Sequence, residues 1–226
     1  MTNYTLKRSN RKTLGLYIRN GNLEVRAPLK CPQSEIDRFV ASKQKWIADK
    51  LAISREQETS KRTFMLDYGN EIYFCGTLYP IVARTGTKAG FDGKCFYMPS
   101  GLSPVQIKDV CIKIYRHLAK IHITNVMAIF APQMGVAPFA IKINNARTRW
   151  GSCSSKKNLN FSWRLIMAGN DAIEYVVVHE LAHLLQMNHS AKFWAIVESV
   201  LPDYRQRQTR LKALQKRLAA EDWDLK

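Results

Sequence analysis

Acidic residues, paired cysteines and long apolar runs are what this chain has least of, and each scarcity removes a class of protein. The five cysteines (Cys31, Cys75, Cys95, Cys111 and Cys153) are odd in number, and no two form a C-x-x-C pair. That excludes a disulfide framework and a cysteine-built zinc knuckle, and a reducing cytoplasm is the expected setting. No apolar run approaches the roughly 20 residues of a bilayer-spanning helix, and the N-terminus carries no apolar signal core. Neither membrane insertion nor export is expected. Asp and Glu total 18 against 35 Lys and Arg, a formal net charge of +17. Such an excess favours acidic partners, nucleic acid first among them. Basic residues gather near the N-terminus (Lys7, Arg8, Arg11, Lys12) and late in the chain (Arg205, Arg207, Arg210, Lys212, Lys216, Arg217). No helix-turn-helix, zinc-finger or RNA-recognition signature accompanies them, so association with nucleic acid rests on charge alone. Repeats and low-complexity segments are also missing.

What is present is a folded chain. A hydrophobic content of 46% over 226 residues suffices for one sizeable domain or two small ones. Leu14, Leu16 and Ile18 alternate before Asn20-Gly21, a hairpin turn signal, and Leu23 and Val25 alternate after it, which predicts a strand pair. One helix is expected from about Ser34, with Ile36, Phe39, Val40, Trp46, Ile47 and Leu51 as its apolar stripe. The polar run from Ser54 to Arg62 reads as the helix end and a linker. Short strands follow around Ile72-Tyr73-Phe74 and Tyr79 to Ala83. Ser103-Pro104 starts a long helix carrying Ile107, Val110, Cys111, Ile114, Tyr115 and Leu118, extending as far as Phe130. Ile141 and Ile143 suggest a strand, Arg147 to Cys153 a loop, and Asn158 to Arg164 a cleanly alternating strand. Asp171 with Glu174 reads as a capping box. Two further helices, about Ser190 to Val200 and Tyr204 to Ala220, are split by Leu201-Pro202.

The chemistry is concentrated in His179-Glu180-Leu181-Ala182-His183, an H-E-x-x-H pattern. At 3.6 residues per turn, positions i and i+4 share a helix face, so both imidazoles can reach one metal ion. Glu180 points about a quarter-turn aside, poorly placed to ligate and well placed to take a proton from a metal-bound water. His189 is six residues past His183, about 240° around a continuing helix, so it can join them only if the helix stops first. Asn188 is a candidate left-handed terminator, and Ser190 a candidate cap for the next helix. Three imidazoles with one open position would suit a hydrolytic zinc site. Glu198, on the following helix, is the alternative third ligand. His117 and His122 match no ligand spacing and read as ordinary helix residues.

The run Arg149-Trp150-Gly151-Ser152-Cys153, then Asn158-Leu159-Asn160-Phe161, Tyr175 to His183, Met187-Asn188-His189-Ser190 and Phe193-Trp194 closely resembles the YgjP-like (DUF45) metallopeptidases. It is similar, more loosely, to the SprT-like proteases that act at DNA. The resemblance spans nearly the whole chain, with its specific motifs between Arg149 and Trp194. It implies a zincin-type peptidase with His179, His183 and His189 as Zn2+ ligands and Glu180 as general base. In such enzymes a substrate strand adds to a sheet edge beside the active-site helix, and by analogy Asn158 to Arg164 is that edge. Metzincins share the third-histidine spacing. Here, however, Gln186 replaces their glycine, and no methionine follows His189 to make a Met-turn.

The expected fold is therefore α+β. Residues 1–100 would form a β-rich N-terminal region with one helix. Residues 101–226 would form a zincin-like region, its H-E-x-x-H helix packed on a small antiparallel-edged sheet. The expected function is a cytoplasmic zinc metallopeptidase acting on peptide or protein. Its rivals are a DNA-associated protease and a nucleic-acid-binding protein with structural zinc. The last has no use for Glu180, and structural sites seldom take three histidines and leave a position open. Arg149 and Trp150 can line the cleft or brace their loop, and Cys153 can pack or block the metal. Arg149, Arg164 and Tyr204 are candidate donors to an oxyanion.

Overall fold

The computed structural model of the chain describes residues 3–19 and 21–224. Its contacts divide it into two compact units, residues up to Phe64 with Leu218–Asp222, and Met65–Arg217 with residues from Trp223 onward. The strands between residues 65 and 100 thus belong with the second unit. Among the described residues, six α-helices and three small sheets make the fold α+β. No described helix is long and apolar enough to cross a membrane.

In the first unit, β1 (Thr5–Ser9), β2 (Gly15–Arg19) and β3 (Asn22–Pro28) form a sheet in the order β1-β3-β2. β2 runs antiparallel to β3 with Arg19 opposite Asn22, as the alternation predicts, although Asn20 of the expected turn lies outside the described residues. β1 is a third strand that the pattern does not reveal. It pairs parallel to β3 through its backbone while its side chains stay largely exposed, so no alternation marks it. One face of β3 packs on α1 (Gln33–Ser42) and α2 (Gln44–Thr63), and Leu23, Val25, Ala27, Ile36, Val40 and Ile47 make the core. The single helix expected here is two, because the chain leaves helical geometry at Lys43 (φ −116°, ψ 16°). Trp46 consequently stays exposed while Ile47 is buried. The polar run from Ser54 is a continuation of α2 rather than a linker. Its Arg, Glu, Gln and Lys residues are good helix formers, and Ser54 Oγ accepts a hydrogen bond from Gly21 N at 3.1 Å.

The second unit contains a four-stranded sheet, β4 (Glu71–Phe74), β5 (Thr77–Arg84), β6 (Gly90–Phe91) and β7 (Phe96–Pro99), in the order β4-β5-β7-β6. α3 (Pro104–Gln133) begins with a capping box in which Ser103 and Gln106 exchange side-chain bonds to backbone. It continues one turn beyond Phe130. Ile107, Cys111, Ile114 and Tyr115 are buried, with Tyr115 stacked on Trp163 at 5.7 Å.

The sheet beside the site comprises β8 (Ala140–Asn144), β9 (Gly151–Cys153) and β10 (Asn158–Ser162) in the order β8-β10-β9. This corrects the choice of edge. β10 is central, parallel to β8 and antiparallel to β9. The antiparallel edge is β9, formed by residues expected to be loop. The clean alternation of Asn158 to Arg164 fits a covered strand, since Ser162 and Arg164 are buried as well as Leu159, Phe161 and Trp163. The strand stops at Ser162, where Trp163–Met167 turn into a 3-10 segment. The remaining helices are α4 (Asn170–Ala182), α5 (Ala191–Val200) and α6 (Tyr204–Leu218).

Candidate metal centre

α4 carries His179 and Glu180, and its sequence is apolar on nearly every side because it is buried on nearly every side. Its N-cap is Gly169, and the expected capping box does not form. Asp171 instead bonds to Arg210. Glu174 takes Arg207 Nη1 at 2.5 Å, and Arg207 Nε also reaches Asp203 at 2.8 Å. Two basic residues assigned by composition to an acidic partner are therefore engaged in tying α6 to α4.

The helix ends where the histidine spacing requires. α4 stops at Ala182, and tight turns follow, with Leu184 N bonded to Leu181 O and Leu185 N to Ala182 O. Asn188 is not left-handed. It shapes the turn through its side-chain oxygen, which accepts from Gln186 Nε2 at 2.7 Å and from Ser190 N at 3.3 Å. Ser190 occupies the N-cap position of α5, but its hydroxyl makes no cap bond. The turn swings His189 back over α4.

As a result, ligand atoms of His179, His183 and His189 lie within 4.8 Å of one another. His179 Nε2 and His189 Nε2 are 3.1 Å apart. His183 Nδ1 is 3.2 Å from the carbonyl oxygen of Gln186. A carbonyl can only accept, so Nδ1 carries the proton and Nε2 presents its lone pair to the cluster. Phe193 packs 4.6–4.9 Å from all three imidazoles, and Trp194 stacks on His189. Burial, and then the neighbouring imidazoles, push His179 down to about 3, which keeps it neutral and able to ligate.

The other sequence candidates separate. Glu198 is exposed and faces Arg205, outside the cluster. His117 is exposed, and His122 packs against Cys75 and Phe74. Cys153 directs its thiol to the Ser154 carbonyl at 3.5 Å. Arg164 is buried, bonded to Asn145 and Asp224 and lying over the Trp163 ring, so it braces the core. Tyr204 stacks on Trp194 at 5.4 Å. Arg149 and Trp150 do line the cleft, with Gly151, His179 and Glu180.

Glu180 is buried, and its Oε2 has no hydrogen-bond partner among the described residues. Burial pushes its carboxyl up to about 8, against the opposing pull of the Arg149 charge. A positive ion on the adjacent imidazoles would favour the carboxylate form. Gly151 is the residue whose role the sequence does not disclose. A Cβ there would lie 2.5 Å from Glu180 Oε1 and 2.6 Å from its Cγ, so edge strand β9 can pass this close only as glycine.

A mixed α+β unit with an H-E-x-x-H helix, a third converging histidine and an adjacent sheet edge has the layout of a metallopeptidase. The chain matches the family described as "YgjP-like, metallopeptidase domain" over residues 12–214, and it belongs to that family. Membership makes it a metallopeptidase, with a metal ion as cofactor and peptide or protein as substrate. No curated protein matches it. Among solved structures it is similar to two metallopeptidase zymogens, each covering less than half of it. Abylysin of Pyrococcus abyssi is 20% identical at a TM-score of 0.38, over 40% of this chain and 92% of that one. Jannalysin of Methanocaldococcus jannaschii is 21% identical at 0.36, over 42% of this chain and 95% of that one.

Proposed function

We propose that the chain is a zinc-dependent peptidase in which His179, His183 and His189 hold the ion and Glu180 is the general base. The observation that carries this reading is the convergence of three imidazoles beside a buried carboxylate oxygen that no other described residue engages. The donor set is all nitrogen, which suits zinc and argues against magnesium or calcium, whose sites are built of oxygen. Zinc bound there supplies a Lewis acid that polarises the scissile carbonyl and acidifies water. Glu180 accepts the proton of the attacking water and delivers it to the leaving amine. The Gln186 carbonyl fixes the His183 tautomer and ring orientation. β9 offers the substrate an unpaired strand edge alongside Glu180, and main-chain hydrogen bonds there would hold the peptide extended. Arg149 remains on the cleft side as an oxyanion donor, whereas Arg164 is consumed in the core.

The test is zinc content measured alongside hydrolysis of a peptide library, with and without a chelator. About one zinc per chain and chelator-sensitive cleavage are expected. A zinc-loaded protein that cleaves nothing, or cleavage indifferent to chelation, overturns the reading.

A further inference from the structure

Glu180 and His179 also form one end of a cavity of about 300 Å³ that extends away from the histidine cluster. Its walls come from three elements. α4 contributes Tyr175, Val176, His179 and Glu180, which share one helical face. The segment Arg149-Trp150-Gly151 closes a second side. α6 supplies Gln208, Leu211, Lys212 and Gln215, spaced i, i+3, i+4, i+7, so one stripe of that helix faces the cavity. The volume is at the small end of ligand pockets, suited to a single side chain.

The charges on this wall have one sign apart from the base itself. Arg149 and Lys212 are the only other ionised lining residues, and neither has an ion-pair partner among the described residues. The contrast within α6 is informative. Arg207 and Arg210, on its α4-facing side, are paired to Glu174 and Asp171, whereas Lys212 is turned to the cavity and left unpaired. Trp150, Val176 and Leu211 provide an apolar lining for the stem of a side chain, with Gln208 and Gln215 as neutral hydrogen-bonding groups.

We propose that this cavity is a specificity pocket that takes an acidic side chain, Asp or Glu, from the substrate residue flanking the scissile bond, with Lys212 as its charge-selecting residue. The pocket rests on the peptidase reading for its substrate class. Its geometry follows from that reading, because its inner end is the general base and the edge strand leads past it. An acidic group entering it gains attraction from Lys212 and Arg149, and a basic one meets repulsion, so discrimination comes from both terms.

The experiment compares peptides that differ only at the residues flanking the cleaved bond, carrying Glu, Gln or Lys, in two assays. The first is cleavage by the zinc-loaded wild type and by Lys212→Glu. Wild type should favour Glu over Lys by roughly two- to fivefold in kcat/KM, the scale set by a partly exposed ion pair. Lys212→Glu should abolish or invert that ratio while Gln peptides change little. The second assay is fluorescence anisotropy of the same peptides, dye-labelled, on Glu180→Gln with and without Lys212→Glu, which reads occupancy without turnover. Charge preference in binding that Lys212→Glu reverses, while the zinc-loaded wild type cleaves none of the peptides, would uphold the pocket and sink the peptidase reading. Cleavage and binding both indifferent to charge, or a preference unmoved by Lys212→Glu, would overturn the pocket while leaving the peptidase intact.

Discussion

Two glutamates are almost equally buried in this protein, Glu24 at 7% exposure and Glu180 at 5%, and their surroundings are opposite. Glu24, on β3, sits between Lys7 Nζ at 2.6 Å and Arg26 Nε at 2.7 Å. Those partners hold its carboxyl down at about 2. Glu180 has an oxygen with no partner among the described residues and is pushed up to about 8. Burying a carboxylate is costly unless it is paired and hydrogen-bonded. The paired one belongs to a region whose polar groups serve the fold. The unpaired one marks a region kept short of its best local energy, as the proposed role of general base would require.

The largest expected effect comes from breaking the unpaired side. Glu180→Gln should retain zinc and fold, because the amide is nearly isosteric and the residue is no ligand. Hydrolysis should fall by roughly 10²–10⁴-fold, since the amide cannot accept the water proton. Metal analysis beside a peptide assay decides it, and equal cleavage by the two proteins would remove Glu180 from the mechanism.

His189→Ala should weaken zinc binding by more than the roughly 10–100-fold typical of losing an outer-shell partner, while His117→Ala leaves it unchanged. Competition with a chromogenic chelator measures both. Full affinity in His189→Ala together with loss in Glu198→Ala would transfer the third ligand to the carboxylate.

Gly151→Ala sharpens the comparison without touching either glutamate. The new Cβ would crowd the Glu180 side chain from Cγ to Oε1 rather than backbone, so that side chain must shift and its carboxylate with it. A displacement near 1 Å at a reacting group costs about 100-fold, so hydrolysis should drop by one to two orders of magnitude with zinc content unaltered. Wild-type activity in Gly151→Ala would show that the position of Glu180 is not set by β9.

The smallest effect belongs to the paired side. The folded pKa of Glu24 lies below its ordinary 4.5, so its contribution to stability is fully present above that value. It is lost as pH falls toward about 2. The denaturant midpoints of wild type and Glu24→Gln should differ at neutral pH and converge across that acidic window. A pH-independent difference would mean that the clamp works by packing and not by charge.

Where sequence reasoning erred, the cause is pairing at a distance. Helix spacing along His179, His183 and the interrupted path to His189 is a local property, and a local rule reads it. The capping box does not form because the helix starts two residues ahead of Asp171, with Gly169 at the cap, and Asp171 and Glu174 instead pair with Arg210 and Arg207, more than thirty residues away. The strands β1 and β9 were missed because backbone hydrogen bonds alone define them, and those leave no periodic mark on side chains. Asn158 to Arg164 is expected as the edge only by analogy with the family; its alternation reports that one face of the strand is buried and is silent on whether neighbours pair along both its sides.

The sequence by itself determined the α+β class, the H-E-x-x-H motif and the family, because helical periodicity and motif spacing are written in neighbouring residues. Only the tertiary structure decided which strand is the open edge, which arginines are spent in holding α6 to α4, and why Gly151 must be a glycine beside Glu180. Each of those turns on which atoms meet across tens of residues of chain, where the few ångströms that separate a contact from a clash are set by packing.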